Sequence, residues 1–181
     1  MWKRLRKWWI LQQWRWRQRK RAGTPLSFGK AVSEVQNILI CLPTAEKEFR
    51  VARYALKFLP TEDEYHRITF VVPEQFADRV PMRPIDQKIT YNGTSRDELG
   101  RFRADLQDQV LTKSYQAAVD MNTGFDFGTC LLCHNSEAQI RIGFASQYSH
   151  LFYNIEIERP EEQFLLERAY RNIQKLLSLV E

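Results

Sequence analysis

The segment GTCLLCHNS places three side chains with metal and redox chemistry close together: Cys130, Cys133 and His134. Cys-x-x-Cys-His is the spacing that attaches a c-type haem. Two thiols and an imidazole could equally supply three of the four ligands of a zinc site, and two thiols at this spacing could form a redox pair. Three different chemistries therefore fit this short stretch.

The rest of the chain argues against a cofactor in this segment. Three cysteines cannot all pair within one chain, which favours a reducing compartment, whereas haem c needs an oxidising one and a second axial ligand. Cys41 falls in an apolar segment, and His66 and His150 stand alone, so zinc lacks a fourth ligand. We predict no cofactor and no metal. Cys130 and Cys133 would share one helix face as buried packing residues, and a redox pair is the alternative.

A second pair of polar residues, Asp120 and Asn122, ends the apolar segment AAVDMN. Parallel α/β sheets bind ligands at the carboxyl ends of their strands, so we predict that both residues contact a ligand. The alternative is local: Asp120 would cap the following turn, and Asn122 would form an Asx-turn near Gly124.

The first 21 residues carry most of the unusual composition. They hold nine Lys or Arg and no acid, which leaves 18 basic against 22 acidic residues in the rest of the chain, and they hold all five tryptophans. The longest apolar run, 8–11, is too short for a secretory signal or for a membrane span of about 20 residues. Trp prefers the headgroup region and Lys and Arg bind anionic lipid. We therefore predict a helical segment that lies on the inner face of the cytoplasmic membrane.

The predicted membrane contacts are Trp2, Leu5, Trp8, Trp9, Trp14, Arg15, Trp16, Arg17 and Arg19. Two alternatives stay open. Arg binds phosphate and Trp stacks on unpaired bases, so the tail could bind nucleic acid, although we expect this less than an anionic membrane. The tail could also be solvated or pack on its own domain.

Beyond the tail and a lead-in at 22–36, strands alternate with helices over 37–181. The pattern predicts strands at 37–43, 68–73, 88–92, 117–122, 139–144 and 151–157. It predicts helices at 44–60, capped by Thr44; at 95–106, with a Ser95–Glu98 capping box; within 123–136; and at 160–180, begun by Pro160. This order predicts one α/β, Rossmann-like domain with a mainly parallel, doubly wound sheet and helices on both faces.

The inward faces of two helices follow from their spacing. Ala52, Ala55, Leu56 and Leu59 recur on one side of the first helix, and Leu99, Phe102 and Leu106 do so on the second.

Two segments resemble the N-terminal, acceptor-side half of glycosyltransferase family 9, the heptosyltransferase-like enzymes. They are ILICLPTAEKE (38–48) and AAVDMNTGFDFGTCLLCHNSEAQIRIGF (117–144). In that family a strand enters a turn of the form Arg-Pro-Gly-Ala-Leu-Gly-Asp, and an Ile-Asp-Leu-Asn strand precedes a helix and an Arg-Ile-Gly-Phe strand. The resemblance covers roughly 37–157.

The first motif is degenerate in this chain. Pro43 and Ala45 are retained, Leu42 replaces the Arg, Thr44 and Lys47 replace the glycines, and Glu48 replaces the catalytic Asp. The resemblance implies that Glu48 would be the base that takes a proton from an acceptor hydroxyl, and that Thr44, Ala45 and Lys47 would line the ligand site. The alternative for Glu48 is a charge that favours the start of its helix.

The family joins two Rossmann-like domains and binds its sugar nucleotide mainly in the second, for which we expect no counterpart here. The sequence thus predicts a glycosyltransferase-like domain, non-autonomous or non-catalytic, that acts at the cytoplasmic membrane surface in bacterial envelope glycan or glycolipid assembly. One alternative is a glycosyltransferase completed by a partner chain or a homodimer. Another is a nucleic-acid-binding adaptor that uses the tail.

Overall fold

The computed structural model describes residues 35–57, 67–159 and 163–178. The predictions on the basic tail and its Trp and Arg residues, on Leu59 and on Pro160 lie outside the described residues. Across the described ranges, no helix combines the length and apolar character needed to cross a bilayer.

The described residues form six strands and four α-helices. In chain order they are β1 (Asn37–Cys41), α1 (Glu46–Leu56), β2 (Arg67–Pro73), β3 (Gln87–Tyr91), α2 (Ala104–Leu111), β4 (Ala117–Asp120), α3 (Phe127–Asn135), β5 (Ile140–Phe144), β6 (Ile155–Ile157) and α4 (Gln163–Ser178). Short 3-10 turns lie at Glu74–Arg79, Gly93–Ser95 and Ser149–Leu151.

All six strands pair in parallel, in the order β3-β2-β1-β4-β5-β6. The chain leaves β1 toward β2 and β3, then returns to the other side of β1 at β4. The carboxyl ends of β1 and β4 therefore mark the topological switch point, where open α/β sheets bind ligands. The predicted fold class is confirmed.

Two cores, one on each face of the sheet, hold the layers together. Ile38 and Ile40 of β1 belong to the core under α1 and α4, whereas Leu39 and Cys41 belong to the core under α2 and α3. Both sets are buried, which explains why β1 is apolar from Ile38 to Cys41. At about 25 cal/mol per Å² of apolar surface removed from water, this double burial is the main term that stabilises the sheet.

The first predicted helix is present, but its cap is wrong. Helix α1 begins at Glu46 with Ala45 as its N-cap, and no side chain caps it. Thr44 does not cap because its N–H and hydroxyl both donate to the Asn122 side chain instead, at 3.0 and 3.4 Å. Ala52, Ala55 and Leu56 are buried as predicted, and Phe49, which the prediction did not include, is buried with them.

The predicted start of the second helix is also wrong. The Ser95–Glu98 capping box does not form, and α2 begins only at Ala104. The Asp97 carboxylate accepts the N–H groups of Leu99 and Arg101, both at 2.9 Å, and Gly100 adopts φ +83°, a conformation that no α-helix continues. Phe102 and Leu106 are buried as predicted, whereas Leu99 is half-buried.

The predicted strand at 151–157 is shorter in the structure. Its first residue closes the 3-10 turn Ser149–Leu151, and only Ile155–Ile157 pair with β5. The turn carries Leu151, Phe152 and Tyr153 into the core under α3.

Candidate functional site

Two loops meet at the switch point and are tied together by one amide. Asn122, just beyond β4, accepts the backbone N–H of Thr44, just beyond β1, at 3.0 Å. The backbone N–H and the side-chain amide of Asn122 donate to Asp120 Oδ1 at 2.9 and 2.8 Å. Asn122 thus joins two strand ends that are adjacent in the sheet but 78 residues apart in sequence.

Asp120 is buried next to this contact and accepts hydrogen bonds from Asn122, Thr129 and Tyr153. Its Oδ2 accepts the Thr129 hydroxyl at 2.5 Å and the Tyr153 hydroxyl at 2.7 Å, so the carboxylate links β4, α3 and the segment before β6. Only 1% of the residue is exposed. Burial raises the pKa of Asp120 to about 6, against the lowering effect of the hydrogen bonds from Thr129 and Asn122.

Glu48 projects from α1 toward the same edge. It is half-buried, and both of its oxygens are engaged: Thr123 donates its hydroxyl to Oε1 at 2.5 Å and its N–H to Oε2 at 3.3 Å. A general base must reach the proton that it removes. In this arrangement Glu48 holds the loop after β4, and it would have to release Thr123 to act on a substrate.

The remaining predicted site residues lie apart from this group. Ala45 is exposed, and its carbonyl accepts the N–H of Phe49 at 2.9 Å. Lys47 is exposed on the side of α1 opposite the buried Phe49 and Ala52. The structure therefore brings Thr44, Asp120, Asn122 and Glu48 to one edge of the sheet, but not the side chains of Ala45 and Lys47.

A cleft of 590 Å³ opens beside the switch point, at the carboxyl ends of β1, β2 and β3. Its lining residues are Thr44, Pro73, Glu74, Gln75, Tyr91, Asn92, Gly93, Arg96 and Asp126. Of these, the sequence had indicated Thr44 alone.

Arg96 is the charged centre of this cleft. Its Nη1 donates to both oxygens of Asp126, at 2.9 and 2.8 Å, and its guanidinium lies over the rings of Tyr91 and Phe102, 4.8 and 4.6 Å from their centroids. Asp126 in turn caps α3 by accepting the N–H groups of Gly128 and Thr129. The cation is thus paired, stacked and fixed to the start of a helix.

Two residues that line this cleft each carry a buried polar atom with no hydrogen-bond partner among the described residues: Arg96 Nη2 and Tyr91 Oη. Tyr91 is only 5% exposed. Burial raises the pKa of the Tyr91 hydroxyl, and the nearby charge of Arg96 opposes this rise, although the two groups lack the geometry of a hydrogen bond. Each unpartnered buried group costs about 1–3 kcal/mol, a cost that a hydrogen-bonding ligand would remove.

Sequence reasoning missed this cleft because it placed Arg96 in a regular helix. The one available signal was Gly100 inside that predicted helix, since glycine disfavours a helix interior.

A second glycine, Gly128 at the start of α3, packs against the loop that carries Arg96. A β-carbon on Gly128 would lie 2.8 Å from the carbonyl oxygen of Gly100 and 3.3 Å from Arg96 Nη1. Only glycine at position 128 therefore lets the loop of Arg96 and Gly100 pack this closely against α3.

The cysteine segment forms part of a core. Cys130 and Cys133 are buried on one side of α3, as predicted, and all three cysteines are free thiols. Cys133 Sγ lies 4.0 Å from Cys41 Sγ, and Cys130 Sγ lies 3.0 Å from the Tyr153 hydroxyl. Burial raises the pKa of Cys130. In the part of the chain that the structure describes, no group of three or more His, Cys, Asp or Glu side chains could hold a metal.

Comparison with known proteins identifies relatives in structure alone. No family profile matches the sequence, and no curated protein does. A heptosyltransferase, WaaC, from E. coli, solved with ADP, superposes with a TM-score of 0.57 at 16% identity over 76% of this chain and 45% of its own. A family 9 glycosyl transferase from Veillonella parvula gives a TM-score of 0.60 at 15% identity over 84% and 44% of the two chains.

The ADP-heptose lps heptosyltransferase II of E. coli gives a TM-score of 0.56 at 16% identity over 76% of this chain and 40% of its own. This chain therefore spans less than half the length of each of these structures. The similarity shows a fold that is shared with glycosyltransferases of the heptosyltransferase type.

Proposed function

We propose that this chain is a glycosyltransferase-like domain that binds the sugar acceptor of a transfer reaction and does not catalyse that transfer alone. The observation that carries the proposal is a pair of buried atoms without hydrogen-bond partners, Tyr91 Oη and Arg96 Nη2, on two residues that line the cleft beside the switch point. Ligands bind at this position in open α/β sheets, and the shared fold is that of glycosyltransferases.

The lining of the cleft favours a hydroxyl-rich ligand over a strongly anionic one. Arg96 supplies a donor, Tyr91 supplies a hydroxyl that can donate or accept, and Glu74 and Asp126 supply acceptors. Asp126 already balances the charge of Arg96, and Glu74 adds a further negative charge. Sugar hydroxyl groups both donate and accept, so they match this mixture of groups.

The state of the carboxylates supports a binding role rather than catalysis by this domain alone. Both oxygens of Glu48 accept from Thr123, and Asp120 is buried beneath four donor groups. Neither side chain is poised to remove a proton from an acceptor. Transfer would then draw on a donor site outside the residues that the structure describes. The alternative is a complete glycosyltransferase in which a partner chain or a second copy of this chain supplies the donor site.

The setting we propose is the cytoplasmic face of the bacterial membrane, in envelope glycan or glycolipid assembly. The nine basic residues and five tryptophans of residues 1–21 support contact with anionic lipid. A nucleic-acid adaptor is the competing use of the same tail.

The test is a calorimetric titration of the full chain with neutral methyl glycosides of hexoses and heptoses, and in parallel with nucleotide sugars. Tyr91→Phe removes only the hydroxyl in the cleft and should weaken glycoside binding by roughly fivefold to tenfold, the value of about one hydrogen bond. Tyr115→Phe is the matched control, because it removes a buried hydroxyl that donates to the Val110 carbonyl and does not line the cleft. We expect it to leave glycoside binding unchanged.

Equal weakening by Tyr91→Phe and Tyr115→Phe would contradict the site. The absence of glycoside binding would contradict the function. Turnover of a nucleotide sugar by the chain alone would restore the enzyme interpretation.

A further inference from the structure

The outward sides of α1 and α4 carry two rows of cations. On α1 and its following residue these are Lys47, Arg50 and Lys57, with Tyr54, 47% exposed, among them. On α4 they are Arg168, Arg171 and Lys175, spaced at i, i+3 and i+7. These spacings place each row on one side of its helix, away from the buried residues that face the sheet.

The two rows adjoin because α1 and α4 pack together over the same core. The acids that the structure describes on these two helices are engaged: Glu46 pairs with Arg79, Glu48 accepts from Thr123, and Glu167 pairs with Arg171. Within the described ranges, Lys47, Arg50, Lys57, Arg168 and Lys175 form no ion pair. We call this surface the basic face.

The opposite layer carries charges of both signs, with Arg103 and Lys113 flanking α2. Helix α2 exposes Asp105 and Asp108 and contains no Lys or Arg. The two rows of cations therefore lie together on one side of the sheet, although residues 22–181 carry more acids than bases. Such one-sided charge orients a protein on an oppositely charged surface.

We propose that the basic face docks on an anionic lipid bilayer. Two helices packed side by side present their cations across a broad layer, which suits headgroups spread over a plane. The exposed ring of Tyr54 within this layer is of the type that favours the headgroup region. The Trp-rich and basic composition of residues 1–21 matches the same surface, so both parts of the chain would engage one membrane. This inference does not depend on what the cleft binds.

The test compares full-length variants of equal charge. Arg50→Glu, Arg168→Glu and Lys175→Glu together reverse three of the six cations of the basic face and spare the candidate site residues. Arg67→Glu, Arg103→Glu and Lys113→Glu make the same change in net charge elsewhere, at exposed or half-exposed positions. Co-sedimentation is measured with vesicles of phosphatidylglycerol and phosphatidylcholine, with phosphatidylcholine alone, and with single-stranded RNA at matched salt. Circular dichroism checks that all variants are folded.

A cation near an anionic leaflet strengthens binding about fivefold, so reversing three of them should weaken binding to anionic vesicles tenfold or more. The control triple should retain most of the binding. Equal loss in both triples would show that only net charge matters and would overturn the proposal, as would retained binding in both. Loss of RNA binding with vesicle binding retained would assign the basic face to nucleic acid instead.

Discussion

The ring of Tyr153 lies directly against the backbone of Gly143. A β-carbon on Gly143 would be 2.5 Å from Cδ2 and from Cζ of that ring, and closer still to Cε2. This contact lets the Tyr153 hydroxyl reach Asp120 at 2.7 Å across the end of the sheet. The glycine of the Arg-Ile-Gly-Phe strand is therefore required by packing around the buried carboxylate.

Replacement of Gly143 by alanine should destabilise the fold. The added methyl group cannot fit without moving Tyr153 away from Asp120, and overpacking of this kind costs about 1–3 kcal/mol. Urea denaturation of Gly143→Ala and of Gly124→Ala measures the effect, because a β-carbon on Gly124 meets nothing within 4 Å. Equal stability of the two variants would contradict the packing described here.

The two tyrosine variants used in the binding test should also differ in their free energy of unfolding. Tyr91→Phe removes a hydroxyl that has no partner, so the free energy of unfolding should stay unchanged or rise. Tyr115→Phe removes a hydroxyl that donates to the Val110 carbonyl at 3.0 Å, so it should lower that free energy by about 1 kcal/mol. Thermal denaturation of both variants without ligand checks this, and a clear loss in Tyr91→Phe would show that its hydroxyl already has a partner.

Most of the fold follows from the sequence, and most of the cleft does not. Local patterns are enough for the strands and for the burial of Cys130 and Cys133, because strand and helix periodicity are short-range. The cleft depends on Arg96, whose position is set by a turn at Asp97 and Gly100 that competes with a helix.

The switch point is equally non-local. Asn122 was available in sequence as a strand-end polar residue, but its partner Thr44 precedes it by 78 positions. Tyr153, which binds Asp120, follows it by 33 positions. No sequence periodicity connects such pairs, so only the folded sheet brings them together.

Asp120 should make stability depend on pH. Its pKa is raised from 3.8 to about 6 in the folded state, so between these values the folded chain keeps a proton that the unfolded chain releases. Stability from this group is therefore present at low pH and is lost as pH rises through about 6, by roughly 3 kcal/mol in all.

Urea denaturation between pH 4 and 7.5 should show this loss in the wild type and not in Asp120→Asn, which cannot ionise. The exposed Asp105→Asn on α2 is the control and should follow the wild type. A wild-type chain that gains stability relative to Asp120→Asn as pH rises would reverse the sign and contradict the buried environment of the carboxylate.

The three thiols should react slowly in the native protein. Cys41, Cys130 and Cys133 are at most 1% exposed, and burial raises the pKa of Cys130, so little thiolate is available for attack. Labelling by a disulfide reagent should follow the rate of unfolding and become fast only in denaturant. Rapid labelling of Cys130 and Cys133, or a disulfide between them, would instead support a redox pair.

Glu48→Gln distinguishes a structural carboxylate from a catalytic one. The amide oxygen of Gln can still accept the Thr123 hydroxyl, but the charge that strengthens the contact is lost, so stability should fall by about 1 kcal/mol. If this domain only binds, neither the wild type nor the variant will turn over a nucleotide sugar, and glycoside binding in the cleft will be the same in both. If Glu48 is a base, the wild type will show transfer or hydrolysis, and the substitution will reduce it by roughly 10²-fold or more. Denaturation and a nucleotide-sugar assay on the same two proteins decide between these outcomes, because a purely structural role changes the first measurement and leaves the second at background.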